Sequence, residues 1–258
     1  MTQVQESGAY ERKDGIMVFP RMEFARERFD YKPGQHVVFG GPTQNGKTTL
    51  AFQLLDEVAT PELPAYVAVS KPNDPVTSRE GKRMGFRRVE DWPVPRKVSE
   101  MWDGKPRGYL IWPRFGDMHT DVARAAQVTS RLLQDRYTAG VKPNNNGILV
   151  MDDTMVKSKI MGLDPDMVTI FAMAGAMGIG QWVFVQKPTD SGRAAIWAYA
   201  SSEHILLFRD TDKRNRMRYD EIGGFDPRFV SDATLSLKPY QALYLKRTGR
   251  FMCVVDSK

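Results

Sequence analysis

Between an apolar β-branched run, HVVFG, and LAFQLLDEV, whose apolar residues recur at helical spacing, the chain reads Gly41-Pro42-Thr43-Gln44-Asn45-Gly46-Lys47-Thr48. Strand, glycine-rich turn and helix in that order give GxxxxGK[ST] the setting it needs to act as a phosphate-binding loop. Gly41 and Gly46 permit the curvature that turns backbone N–H groups from Thr43 to Thr48 toward a nucleotide's β- and γ-phosphates. The helix N-terminus adds partial positive charge, and Lys47 adds a point charge. The Thr48 hydroxyl takes a magnesium position, and Thr49 reaches the α-phosphate. The expected nucleotide contacts are Gly41, Thr43, Gln44, Asn45, Gly46, Lys47, Thr48 and Thr49, with ATP and Mg2+ as cofactors. A plain glycine-rich turn with an exposed lysine is the alternative.

Further apolar runs follow: AYVAVS at 65–70, GYLIW at 108–112, ILVMDD at 148–153, QWVFVQ at 181–186 and HILLF at 204–208. Helical patterns separate them, among them a long amphipathic one from Asp117 to Gly140, one near Asp166–Met177 and one near Ala194–Ala200. Alternating strands and helices predict an α/β fold with a mostly parallel sheet and helices on both faces. DKRNRMRYDEIGG reads as another helix, and YQALYLKRTGRFMCVVD as a C-terminal β-hairpin turning at Arg-Thr-Gly and closing the sheet edge. Residues 1–18 read as a polar, mobile tail and 19–258 as one domain, with a basic, Pro-rich insertion at about 71–107. Met167 to Gln186 carries no charge and is long enough to span a bilayer, but its Ala, Gly and mid-segment change of character predict a buried helix followed by a buried strand.

Nucleotide hydrolysis needs one carboxylate near magnesium and another to orient water. Asp152, the first acid after ILVM, is the expected metal partner, and Asp153 the group acting on water, unless it only caps the next turn. Gln186 ends the next apolar run, where an amide could sense a γ-phosphate or merely satisfy backbone groups. Lys47, Asp153 and Gln186 form the expected catalytic set, with Thr48 and Asp152 at the metal.

Charge is concentrated. Of a net +6, the stretch Arg79–Arg114 holds ten Lys or Arg against five Asp or Glu, interleaved with Trp92, Trp102, Tyr109 and Trp112. Such a block can track phosphates and stack bases, through Arg83, Arg87 and Arg88 for example, or can be a solvated insertion with its own aromatic core. A single cysteine, Cys253, excludes an internal disulfide and a CxxC zinc site, which favours a reducing, cytoplasmic compartment.

GPTQNGKTT, ILVMDD lying 105 residues after Lys47, GIGQWVFVQKP and SLKPYQALYLKRTGRF together resemble the FtsK–HerA superfamily of P-loop motor ATPases, most of all viral and phage genome-packaging members. The resemblance covers about residues 34–255 and implies a RecA-like, ASCE-type P-loop NTPase. It implies ATP-driven translocation of nucleic acid, double-stranded DNA in particular, through an oligomeric ring, commonly a hexamer. A capsid portal or another viral or plasmid protein would be its partner, in the host cytoplasm if the chain is viral. It assigns Lys47 and Thr48 to ATP and magnesium, Asp152 to magnesium and Gln186 to a sensor. Two departures stand out: Asp153 replaces the family's usual Glu, and the arginine often found before the Gln-bearing strand is missing. An arginine acting across a subunit boundary would then be Arg209, Arg214, Arg216 or Arg218. A RecA- or DnaB-like DNA-dependent ATPase or helicase, a P-loop kinase and a non-hydrolysing nucleotide switch are the competing functions.

Overall fold

Short runs of β-branched and aromatic residues become strands, and their order along the chain is β1 (Tyr10–Glu11), β2 (Met17–Pro20), β3 (Val37–Gly40), β4 (Ala65–Ala68), β5 (Arg87–Val89), β6 (Gly108–Ile111), β7 (Gly147–Met151), β8 (Ile179–Val185), β9 (His204–Phe208), β10 (Ala242–Lys246) and β11 (Phe251–Asp256). The computed structural model describes residues 8–12, 14–189 and 192–257. Within them the strands form a single sheet in the order β1-β2-β11-β10-β9-β3-β8-β7-β4-β6-β5. From β9 through β5 every neighbouring pair is parallel.

Parallel strands buried on both faces read as unbroken apolar runs, because alternate side chains enter two different cores. On β3, Val37 and Phe39 join one core while Val38 joins the other; on β8, Trp182 and Phe184 divide from Val183 and Val185 in the same way. The Lys47–Val58 helix covers the first face with Leu50, Leu54 and Leu55. Helix Met118–Gly140 covers the second with Ala125, Val128 and Leu132, alongside Ala194, Ala195 and Ala198 of helix Gly192–Ser201. The uncharged stretch from Met167 onward forms helical turns and then β8, all seven residues of which are buried. Among the described residues, no helix is long and apolar enough to cross a membrane.

Both sheet edges differ from the sequence reading. The hairpin is there, with Tyr244 opposite Cys253, but it does not close the edge. The outer side of β11 pairs in parallel with β2, Val254 opposite Val18, and β1 pairs beyond that. Part of the stretch read as a tail is therefore sheet edge, ending in a strand of only two residues, a length that blunts further pairing. Residues 1–7 and 13, also read as tail, lie outside the described residues. At the other edge, the stretch read as an insertion carries helix Pro75–Arg83, capped by Asp74, which accepts from Thr77 N at 2.9 Å, and then β5, parallel to β6. DKRNRMRYDEIGG is one short α-helical turn, Lys213–Arg216, followed by a 3-10 turn, Met217–Glu221. A helix that the reading lacked, Pro227–Leu235, comes next, with Asp226 accepting from Arg228 N at its start.

Candidate nucleotide site

The loop leaves β3 with Gly41 at φ 135° and enters its helix with Gly46 at φ 88°. A Cβ on Gly41 would lie 3.0 Å from that of Phe208, and one on Gly46 would lie 3.3 Å from the Tyr240 ring, so both conformation and space demand glycine. Gly41 N donates to Val185 O at 2.9 Å, tying the loop to β8, and Asn45 Nδ2 donates to Arg209 O at 3.0 Å, tying it to the end of β9. Leu50 N makes the first bond of the helix, to Gly46 O, which leaves the N–H groups of Lys47, Thr48 and Thr49 without helical partners. The Thr48 and Thr49 side chains are half-buried; Thr43 and Gln44 are exposed, with Gln44 at φ 63°.

Lys47 is buried, and its Nζ donates to the carbonyls of Gly41 at 2.6 Å and of Pro42. Burial, reinforced by repulsion from Lys71, brings its ammonium down to about 8, against the opposing pull of Asp153 and Asp210. A lysine in that condition is matched to an anion: a phosphate arriving at the loop would hold it in the charged form to higher pH.

The strand next to β3 is β8, and β7 lies beyond it, so Gln186 stands at a strand end between the loop and the two carboxylates. Gln186 Nε2 donates to Asp153 Oδ2 at 3.2 Å. Asp153 has φ 45°, and its Oδ1 accepts from Val156 N at 3.3 Å, so the cap of the following turn and the link to Gln186 belong to one side chain. Asp152 is buried at the end of β7. It accepts from the Ser70 hydroxyl at 2.6 Å and from Ser70 N at 3.1 Å, and it lies 3.1 Å from the fully buried ammonium of Lys157. Among the described residues no cluster of three His, Cys, Asp or Glu could hold a metal alone.

Comparison with solved structures finds the same architecture. The genome packaging NTPase B204 from Sulfolobus turreted icosahedral virus 2, in complex with AMP, superposes with a TM-score of 0.58 at 12% identity, covering 88% of this chain and 98% of that one. The fold is that of P-loop ATPases. The pCW3 conjugation coupling protein TcpA, solved with ATPgS, matches at a TM-score of 0.50 and 15% identity, covering 86% of this chain and 59% of that chain. The EssC ATPases 2 and 3 from Geobacillus thermodenitrificans match at 0.51 and 11%, covering 83% and 38%. At 11–15% identity these neighbours share the fold. No family model matches the chain, and no curated protein does.

Within this P-loop ATPase fold the arginines separate into two kinds. Arg216 donates to Asp210 O at 2.8 Å and to Ser231 Oγ at 3.0 Å, and Arg218 pairs with Glu221 at 2.8 Å, so both are engaged within the chain. Arg209 and Arg214 are exposed and enter no ion pair among the described residues. In the basic block, Arg83 is held by Asp56 at 2.6 Å and Glu80 at 2.9 Å. Arg87 and Arg88 are exposed on β5 and lie over the Trp102 and Trp112 rings, at 5.8 and 4.4 Å from the ring centroids. Trp92 and Trp112 are buried, and Trp92 packs edge-on against Tyr66 and Tyr109. The block's aromatics do not form a core of their own: Trp92 joins one of the sheet's two cores, with Trp102 and Tyr109 packed against it, and Trp112 joins the other.

Three site residues were absent from the sequence reading: Ser70 at the end of β4, Lys157 and Asp210. Asp210 carried a legible signal, being the first acid beyond an apolar strand that ends at Phe208. It is buried, accepts from Asn215 Nδ2 at 2.9 Å and from Asp212 N at 2.8 Å, and acts electrostatically on Lys47.

Proposed function

We propose that the chain is an ATP-driven motor that moves nucleic acid, most naturally double-stranded DNA, in the manner of genome-packaging ATPases. One observation carries the proposal: the loop of Lys47, the pair Asp152 and Asp153, and Gln186 gather at the carboxyl ends of β3, β7 and β8, where ligands of open α/β sheets bind. In this reading Lys47 neutralises the phosphate oxygens that gain charge during phosphoryl transfer, and the free N–H groups at the helix start hold them in line. Thr48 and Asp152 would hold magnesium, which would withdraw electron density from the phosphates. Asp153 orients the attacking water and accepts its proton, and the Gln186 amide fixes the carboxylate that does so. The sheet from β1 to β11 and its helices act as one ATPase domain, working as a ring, a hexamer by preference. Arg209 and Arg214, the two free candidates, are the choices for an arginine reaching a neighbour's nucleotide.

A kinase reading is disfavoured because β8 intervenes between the loop strand and the strand of Asp152. The packaging reading is tested by ATP hydrolysis with and without linear duplex DNA, with Lys47→Ala as the blank. Stimulation by duplex is expected. Clear nucleotide binding without turnover, with or without DNA, would transfer the chain to the switch class.

A further inference from the structure

Lys157 has no part in the reaction described above, yet its side chain is fully buried. A buried ammonium persists only where it is paired and hydrogen-bonded. Lys157 Nζ donates to Ser70 Oγ at 2.6 Å and sits 3.1 Å from Asp152 Oδ1. Ser70 in turn donates its hydroxyl to that same oxygen at 2.6 Å and its N–H at 3.1 Å. Oδ1 of Asp152 is therefore surrounded by three donors, whereas Oδ2 has only a share of the Ser70 N–H at 3.2 Å. The lysine's own backbone is fixed as well: its N–H bonds Asp153 O at 3.1 Å, and its carbonyl accepts from Leu163 N at 3.0 Å. One carboxylate oxygen is consumed by the protein, and the other is left for a ligand.

Asp152 and Asp153 are adjacent, and two neighbouring carboxylates would attract a divalent cation without any nucleotide. A resident positive charge against one of them removes that tendency. We propose that Lys157 is a positioning residue that neutralises Asp152 and reserves its Oδ1, so that magnesium is accepted only together with nucleotide phosphates. The proposal rests on the nucleotide-site reading above and deepens it. Magnesium sheds its waters reluctantly, so a site whose carboxylate charge is already matched needs the phosphate oxygens to complete the ion's shell.

The test compares thermal unfolding of wild type, Lys157→Met and the double variant Asp152→Asn with Lys157→Met, against magnesium chloride at constant ionic strength and without nucleotide. Magnesium alone should leave wild type unchanged. It should raise the melting temperature of Lys157→Met saturably, with apparent affinity at least about tenfold above wild type, and the double variant should lose the effect. A merely structural lysine would lower stability without creating a magnesium response, so equal responses in wild type and Lys157→Met would overturn the proposal. Should Lys157→Met not fold, calorimetric titration of wild type decides: magnesium binding that needs a non-hydrolysable ATP analogue supports the proposal, and nucleotide-free binding lost in Asp152→Asn overturns it. Binding of a fluorescent ATP analogue to wild type and Lys47→Ala judges the nucleotide site separately. Failure there would remove the ATP reading while the magnesium comparison still judged Lys157.

Discussion

At the amino ends of the central strands His204 lies buried among Phe29, Tyr31 and Tyr244 and His36 lies buried against Phe171, whereas at the carboxyl ends Lys47, Asp152, Lys157 and Asp210 are buried beside Asp153 and Gln186. Both groups are removed from water, and the protein solves the problem in opposite ways. Burial brings each histidine down to about 4, so both rings are neutral at pH 7. His36 Nδ1 accepts from Gln181 N at 3.0 Å, while His204 meets the Tyr244 hydroxyl at 2.7 Å and Gln35 Oε1 at 2.9 Å. At the other end charge is retained and cross-linked between strands, through Ser70, Lys157 and Asp152. The histidines are neutral with their hydrogen bonds made, whereas the buried charges surround the glycine-rich loop of the proposed nucleotide site.

The sharpest break of this contrast is Lys47→Ala. It should lower ATP turnover by about a thousandfold or more, since a single preorganised donor of this kind is worth roughly 10²–10³ and Lys47 also aids binding. Its effect on stability should run the other way. The ammonium titrates at about 8 in the fold against 10.5 when free, so between those values the unfolded chain holds a proton that the folded chain lacks. Stability therefore rises with pH across that window, by about 3 kcal/mol in all, and is reduced below it. Urea titrations should show this rise in wild type and not in Lys47→Ala; the same slope in both would mean that another group carries it. Asp153→Asn comes next, with turnover down by about 10²–10³ while nucleotide affinity changes little, as expected for a group acting on the proton in flight. A loss confined to affinity would assign Asp153 to binding alone.

The amino-end cluster should respond to acid and ignore nucleotide. Each histidine titrates at about 4 in the fold and 6.5 outside it. As pH falls through that interval the unfolded chain takes up protons that the folded chain refuses, and stability drops by about 3 kcal/mol per histidine. His204→Phe should abolish its share of that acid slope, at the expense of the Tyr244 hydroxyl's partner, a loss of about 1–3 kcal/mol at neutral pH, while Gln35 Oε1 keeps the Lys32 N–H. Turnover per folded molecule should be unchanged. A drop in turnover at constant stability would break the division between the two ends.

The loop, Asp152, Asp153 and Gln186 were legible because each ends an apolar run, a local pattern. Lys157 and Ser70 were not, because their roles depend on β4 lying beside β7, with Ala68 opposite Met151, and sheet neighbours are not written in either run. The same holds for β2: a four-residue strand near the start pairs in parallel with β11 near the end, Val18 with Val254, and its polar flanks read as tail. Strand β5, with two exposed arginines in three residues, has too little apolar pattern to be seen. The basic block was legible as charge, but its ion pairs needed Asp56 from another element.

Strand β8 holds the comparison in miniature, since Gln181 and Gln186 lie five positions apart on one chain segment. Gln186 is half-buried and spends its amide on Asp153, so Gln186→Met should cost about tenfold in turnover, near 1.4 kcal/mol, with stability almost unaffected. Gln181 is fully buried, and neither side-chain polar atom finds a partner among the described residues. An amide kept from water without compensation costs about 1–3 kcal/mol, and a methionine of similar shape carries no such penalty. Gln181→Met should therefore stabilise the fold by about 1 kcal/mol and leave turnover as it was. Destabilisation by this exchange, read from the denaturant midpoint at unchanged slope, would mean that the amide satisfies a polar group in the core, and that the amino end too holds buried polarity for a purpose.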